Sequence, residues 1–272
     1  MPIASIINLV LTGALAGLIA GFMGLGGGVV LTPLCLLIYP ALGIGSHELV
    51  KIIFGTNMFL VMAFSISAVS KHHKNSKIDW RTVLIMGPLA IIGSAAGGWL
   101  ASNANSSDLK KAFAVLLVFS SIAIITKGLK IKDSPPGGRK PLLPMKLLPL
   151  LGMAAGFIGS LLGIGGGAVM IPSLILLFAY PVDRVAATSS SVIVFIGFSG
   201  MLTYMWNGRG MVDLPGLSVG YVWLSAAVPL MIGGVPMARF GAWLNAKIHT
   251  RILQRLFGIL TLIIAIRIMF FS

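Results

Sequence analysis

The only chemistry this sequence states twice lies in two runs of glycine, Gly24-Leu25-Gly26-Gly27-Gly28 and Gly163-Ile164-Gly165-Gly166-Gly167. Each run leads into an apolar stretch, VVLTPLCLLI and AVMIPSLILL, with Pro33 and Pro172 five residues beyond its last glycine. Glycine adopts backbone conformations closed to other residues and lets a ligand come close to the chain. Where a helix starts, its free amides and the positive end of its dipole make a seat for an anion. The prolines are expected to bend or break these helices early and free further backbone groups. Close helix packing is the competing use of glycine, and Gly93 with Gly97 read as that alone. Duplication at matching positions, each time before a proline, favours a site for the two runs. A nucleotide-binding glycine loop does not fit, because no soluble strand precedes either run and no acidic residue follows at the needed distance.

Short polar side chains recur beside the glycines. Thr56 and Asn57 in FGTNMF match Thr188 and Ser189 in AATSSSV, where Ser190 and Ser191 follow, each pair near the start of a span. They could line an anion path, or they could satisfy helix carbonyls and neighbouring helices. Thr32 and Ser173, flanking the prolines, are weaker candidates.

Other chemistry is missing. The six acids, Glu48, Asp79, Asp108, Asp133, Asp183 and Asp213, fall in loops or at span ends, so no carboxylate stands at mid-membrane where proton relays are usually built. The four histidines, His47, His72, His73 and His249, are also in loops without metal-ligand spacing. Cys35 is the single cysteine, which excludes an intrachain disulfide and a cysteine metal cluster and reads as an apolar filler. No catalytic residue, metal site or cofactor is expected, and an enzyme is not expected. An anion recognised by backbone amides and hydroxyls is what remains.

The elements that must position these groups are membrane spans. The 272 residues are 57% hydrophobic and 10% charged, with a mean hydropathy of +1.01, which describes an all-α polytopic membrane protein. The formal charge of +14 sits in short loops between apolar spans, so it reads as a topology determinant facing anionic lipid and not as a nucleic-acid surface. No cleaved signal is expected, since Met1 to Ser5 lacks a basic start.

The chain repeats itself: GLIAGFMGLGGGVVLTPLCLL returns as GMAAGFIGSLLGIGGGAVMIPSLILL. Asp79 answers to Asp213, and Pro88 with Gly93 answers to Pro229 with Gly234. Three regions follow: an N-terminal transmembrane repeat over 1–128, a cytoplasmic linker over 129–145 within KGLKIKDSPPGGRKPLLPMK, and a C-terminal transmembrane repeat over 146–272. Each repeat reads as a long broken segment and three ordinary spans, at 3–39, 50–70, 82–101 and 111–127, then at 146–180, 185–206, 217–238 and 252–271. A straight helix over the first segment would measure about 55 Å, far more than a bilayer needs, so it must be two crossings or a re-entrant hairpin. Two crossings invert the second half. With loops 71–81, 127–146, 181–184 and 239–255 in the cytoplasm, that side holds 15 of the 20 Lys and Arg, against 12 for parallel halves. An inverted pair brings equivalent motifs together near mid-depth.

These residues resemble the sulfite exporter family of TauE/SafE type, through the doubled GxGGGxxxxP, AGFxG ahead of it, the Thr-containing start of the next span and the basic linker. The resemblance covers essentially the whole chain. It implies a multi-pass permease of the bacterial-type inner membrane, exporting small sulfur-containing or organic anions such as sulfite, sulfonates or sulfoacetate. It further implies that Gly24, Gly26, Gly27 and Gly28 with Gly163, Gly165, Gly166 and Gly167 border the translocation site, and that Thr56, Asn57, Thr188 and Ser189 lie beside them. The second repeat reads Thr-Ser-Ser-Ser where the first reads Thr-Asn-Met-Phe, so the site need not be symmetric. The expected partners are a small anionic substrate and the lipid bilayer, and the expected mechanism is alternating access by one half rocking on the other. A passive anion channel would use the same residues, and a non-transporting membrane assembly protein would need no anion site.

Overall fold

The computed structural model describes residues 3–41, 48–74, 78–127, 141–211 and 214–245. The expected last span over 252–271, the linker over 129–140, and Asp133, Asp213, His47 and His249 lie outside the described residues. Among the described residues the helices are α1 (Ile3–Met23), α2 (Gly28–Ala41), α3 (Leu49–Lys74), α4 (Trp80–Asn103), α5 (Ser106–Lys127), α6 (Leu148–Leu161), α7 (Gly167–Leu177), α8 (Val182–Asn207) and α9 (Leu224–Asn245). A short 3-10 turn, Met145–Leu147, precedes α6, and a two-stranded antiparallel hairpin, β1 (Ser218–Val219) with β2 (Val222–Trp223), precedes α9.

Each long segment breaks at its glycines, into α1 with α2 and α6 with α7. Five helices, α1, α3, α4, α8 and α9, are long and apolar enough to cross a membrane. At 14 and 11 residues α2 and α7 rise only about 21 and 17 Å, half a bilayer or a little more. Pro33 and Pro172 do not end these helices, contrary to expectation; both lie inside them. Each proline withholds one amide from the ladder, and burial among neighbouring helices tolerates that loss. The span expected from 217 starts at Leu224, because the preceding residues form the hairpin.

Small residues decide which helices touch. Gly13, Gly17 and Gly21 of α1 lie against the backbone of Leu230, Gly234 and Ala238 of α9, so the two helices run parallel at close range. In the same way Gly93 and Gly97 of α4 meet the carbonyls of Met153 and Phe157 of α6, again parallel. The reading of Gly93 and Gly97 as packing glycines therefore holds. Each repeat's entry helix thus packs on a helix of the other repeat. Between these pairs run α3 and α8, the most enclosed spans, with 67% and 72% of their most apolar windows buried against 44% for α1, α4 and α9. Met58 and Met62 of α3 lie beside Gly200 and Gly197 of α8, so these equivalent helices run antiparallel. The outer faces carry exposed Leu11, Leu15, Leu84, Ile92, Trp99, Ile232 and Phe240, a surface suited to lipid and not to water.

Candidate functional site

The two glycine loops follow one conformational plan. Gly24, Gly26 and Gly27 have φ of 71, 80 and 83°, and Gly163, Gly165 and Gly166 have φ of 65, 82 and 79°. The left-handed region is closed to most side chains, which is why these positions are glycine. The last glycine of each run opens a helix instead. A Cβ on Gly28 would lie 2.5 Å from the Cα of Ile164, and one on Gly167 would lie 2.6 Å from the Cα of Leu25. The loops are therefore pressed backbone to backbone in a reciprocal pair. Val61 of α3 and Ile193 of α8, which match each other in the repeats, cover Gly26 and Gly165.

This contact brings the N-termini of α2 and α7 together in the buried centre of the protein. Gly27 accepts from the amides of Val30 and Leu31, and Gly166 accepts from those of Val169 and Met170, so both act as helix N-caps through their carbonyls. The amides of Gly27, Gly28, Gly166 and Gly167 have no backbone acceptor among the described residues. Two sets of unpaired donors, each at the positive end of a helix dipole, form a place where negative charge is favourable. The loops differ in one respect. Ile164 and Gly165 both donate to the Gly159 carbonyl, at 2.8 and 3.1 Å, whereas in the first loop only Gly24 is tied back, to Ala20 at 2.9 Å.

The polar residues chosen from sequence divide into two functions. Ser189 donates to the Gly24 carbonyl at 3.0 Å, while Asn57 donates to Thr32 at 2.8 Å and Thr32 donates to the Gly163 carbonyl at 3.1 Å. The Ser189 and Thr32 bonds cross between repeats and each fixes the first glycine of a run, while the Asn57 bond stays within its repeat and reaches the second run only through Thr32. Thr56 and Thr188 turn elsewhere. Thr56 accepts from the amide of Trp223, the residue just before α9, at 3.0 Å, and Thr188 accepts from the amide of Asp79, just before α4, at 3.3 Å. The structure thus brings Asn57 and Ser189 to the glycine loops and commits the Thr56 and Thr188 hydroxyls to helix starts. All four are fully buried. Ser191 bonds back to the Ala187 carbonyl of its own helix.

Sequence reasoning passed over several groups around this centre. Tyr180 donates to Asp79 at 3.0 Å and lies 3.2 Å from the Thr188 hydroxyl. Lys51, read as a residue at a span boundary, is 8% exposed and pairs with Glu48 at 2.9 Å. Its spacing from Glu48, one helical turn, was the available signal. Thr32 ranked among the weaker candidates, yet it is the link between Asn57 and the second loop.

Asp79 caps α4 by accepting from the Thr82 amide at 3.3 Å and the Thr82 hydroxyl at 2.8 Å. Its partial burial alone would raise the carboxyl, but the hydrogen bonds from Thr82 and Tyr180 outweigh burial and hold it below the ordinary carboxylate range. The stabilisation is therefore present above the unfolded value, near 4, and is lost as pH falls through the depressed folded value. Asp79→Ala is expected to cost about 1 kcal/mol at neutral pH, the usual worth of an N-cap. Thermal unfolding in detergent should show a constant gap between wild type and variant above about pH 5 that closes in acid.

A family profile described as Sulfite exporter TauE/SafE matches residues 9–268. A probable membrane transporter protein of Methanocaldococcus jannaschii is 31% identical over 264 residues, covering 93% of each chain. A probable membrane transporter protein of Haemophilus influenzae is 28% identical over 258 residues, covering 94% of this chain and 95% of its own. The probable membrane transporter protein YunE of Bacillus subtilis is 24% identical over 281 residues, covering 98% of each. Both the family and these relatives are transporters rather than enzymes. With its doubled glycine loops and its five apolar helices long enough to span a bilayer, this chain belongs to the TauE/SafE sulfite exporter family and is a multi-pass membrane transporter.

Proposed function

We propose that this protein is a secondary transporter that exports small sulfur-containing or organic oxyanions, such as sulfite, sulfonates or sulfoacetate, across the inner membrane. One observation carries the reading: the buried starts of α2 and α7 meet, with the amides of Gly27, Gly28, Gly166 and Gly167 free of backbone acceptors among the described residues. Glu48, Asp79 and Asp108 fall at the starts of α3, α4 and α5, outside the glycine runs. Small oxyanions offer several acceptor oxygens at once, which suits converging N–H donors better than a halide does.

The two repeats form an inverted pair in this reading. Support comes from α3 and α8, equivalent helices that run antiparallel, and from the crossed parallel pairs α1 with α9 and α4 with α6. Alternating access follows if one repeat rocks on the other around the glycine loops. Val61 and Ile193 cover the loops, and the loop residues are buried, which favours a carrier over an open channel.

Thermal unfolding of the purified protein against sulfite, sulfate, thiosulfate, taurine, sulfoacetate and simple carboxylates tests the site. An anion at a hundred times its Kd should add about 2.7 kcal/mol of stability, a shift of several degrees. If no anion stabilises the protein at millimolar concentration, the glycine-loop site is rejected.

A further inference from the structure

On α2, Thr32, Cys35 and Tyr39 share one face at spacings of three and four residues, and all three are fully buried. The matching positions of α7 are Ile171, Leu174 and Phe178, so the repeats differ here: one half-helix is polar along this face and the other is dry. The polar file starts at the Gly163 carbonyl, passes through Thr32 and Asn57, and reaches Cys35, whose sulfur lies 4.0 Å from the Asn57 carbonyl oxygen. It ends at Tyr39, edge-on to Trp223 with ring centroids 4.9 Å apart at 85°.

Two donors at that end have no oxygen acceptor among the described residues. The Tyr39 hydroxyl and the Trp223 indole nitrogen are both buried; among the described residues the first has only the Cys35 thiol beside it and the second has no hydrogen-bond partner. Tyr221, two residues before Trp223, is buried with the Glu48 carboxylate as its hydrogen-bonding neighbour. Folded proteins pair nearly all such groups, so two donors without an oxygen acceptor at one end of the file call for an explanation in function. The Lys51–Glu48 ion pair stands on the same side, with the Lys51 ammonium 5.8 Å above the Tyr221 ring. The indole nitrogen lies beneath Gly216, an exposed residue that presents no side chain over it.

We propose that Tyr39 and Trp223 form a second oxyanion station, at the opposite end of the α2 polar file from the glycine loops, donating to a sulfite, sulfonate or carboxylate oxygen in transit. This rests on the reading that the glycine loops hold an oxyanion. It makes the path polar on the α2 side and apolar on the α7 side, so the two half-paths are unequal despite the repeat.

Tyr39→Phe removes an oxygen whose only neighbour among the described residues is the weakly bonding Cys35 thiol, so a purely structural role predicts nearly unchanged folding and unchanged transport. The station predicts a different combination: the unfolding temperature without anion holds or rises, while the sulfite concentration giving half-maximal flux in proteoliposomes rises about tenfold, as for one lost hydrogen bond to a charged group. A full-length variant with Trp80, Trp99, Trp206 and Trp243 changed to Phe isolates the Trp223 emission. Sulfite should change that emission saturably, with Tyr39→Phe shifting the midpoint in the same sense. If sulfite stabilises the wild type thermally but leaves Trp223 emission and the Tyr39→Phe flux unaltered, the station is overturned and the glycine-loop site stands. If no anion stabilises the wild type at all, the glycine-loop site falls and the station falls with it.

Discussion

Gly28→Ala and Gly167→Ala should each abolish transport and destabilise the protein by about 3 kcal/mol, the upper end of ordinary overpacking costs. Neither glycine has a positive φ, so the backbone itself would accept alanine. The obstacle is contact. A methyl on Gly28 would stand 2.5 Å from the Ile164 Cα and 2.7 Å from its carbonyl carbon, and one on Gly167 would stand 2.6 Å from the Leu25 Cα and 2.7 Å from its carbonyl oxygen. Main-chain atoms cannot rotate aside as a side chain can, so one loop must move off the other. That movement would separate the helix starts whose amides compose the proposed site. Gly210→Ala is the control, with φ of +82° and nothing within 4 Å of a built Cβ. It should cost only about 1–2 kcal/mol of left-handed strain and leave transport intact. Unfolding temperature and proteoliposome flux, measured on all three variants, check the contrast. Wild-type flux in Gly167→Ala would mean that the loops need not touch.

The sequence made the broken helices legible because length alone forbids one straight span over residues 3–39, and the glycines mark where the break must fall. The structure starts α2 at Gly28 and α7 at Gly167, the last glycine of each run. Much of what the glycines touch was not legible. Ser189 reaches Gly24 across 165 residues and Thr32 reaches Gly163 across 131, and no local pattern encodes such pairings. Thr56 and Asn57 are neighbours in sequence, yet on a helix they point about 100° apart, so one serves the start of α9 and the other the glycine loop. The hairpin before α9 was hidden because Val219, Tyr221, Val222 and Trp223 are as apolar as a span. Its signal was Gly216, at positive φ in the bend ahead of β1, and Gly220, at positive φ in the turn between the strands. The segment 111–127 read as a span, and the structure makes Ser106–Lys127 one continuous helix.

The second large effect is the transport itself. A carrier whose centre is closed by Val61 and Ile193 must bind its anion, reorient and release it, so its flux saturates and exchanges. The amides proposed to receive the anion are buried under both repeats, which leaves no reason for flux to rise linearly with concentration. A protein acting as a membrane scaffold would give no flux, and a channel would equilibrate label without exceeding equilibrium. The most direct measurement is counterflow: proteoliposomes loaded with millimolar unlabelled sulfite are diluted into trace labelled sulfite, and internal label is followed over time. The account predicts a transient accumulation of label several-fold above equilibrium, saturable by external sulfite and absent from Gly167→Ala. Protein-dependent flux that never overshoots equilibrium, or no flux for sulfite and every other small oxyanion tried, would contradict it.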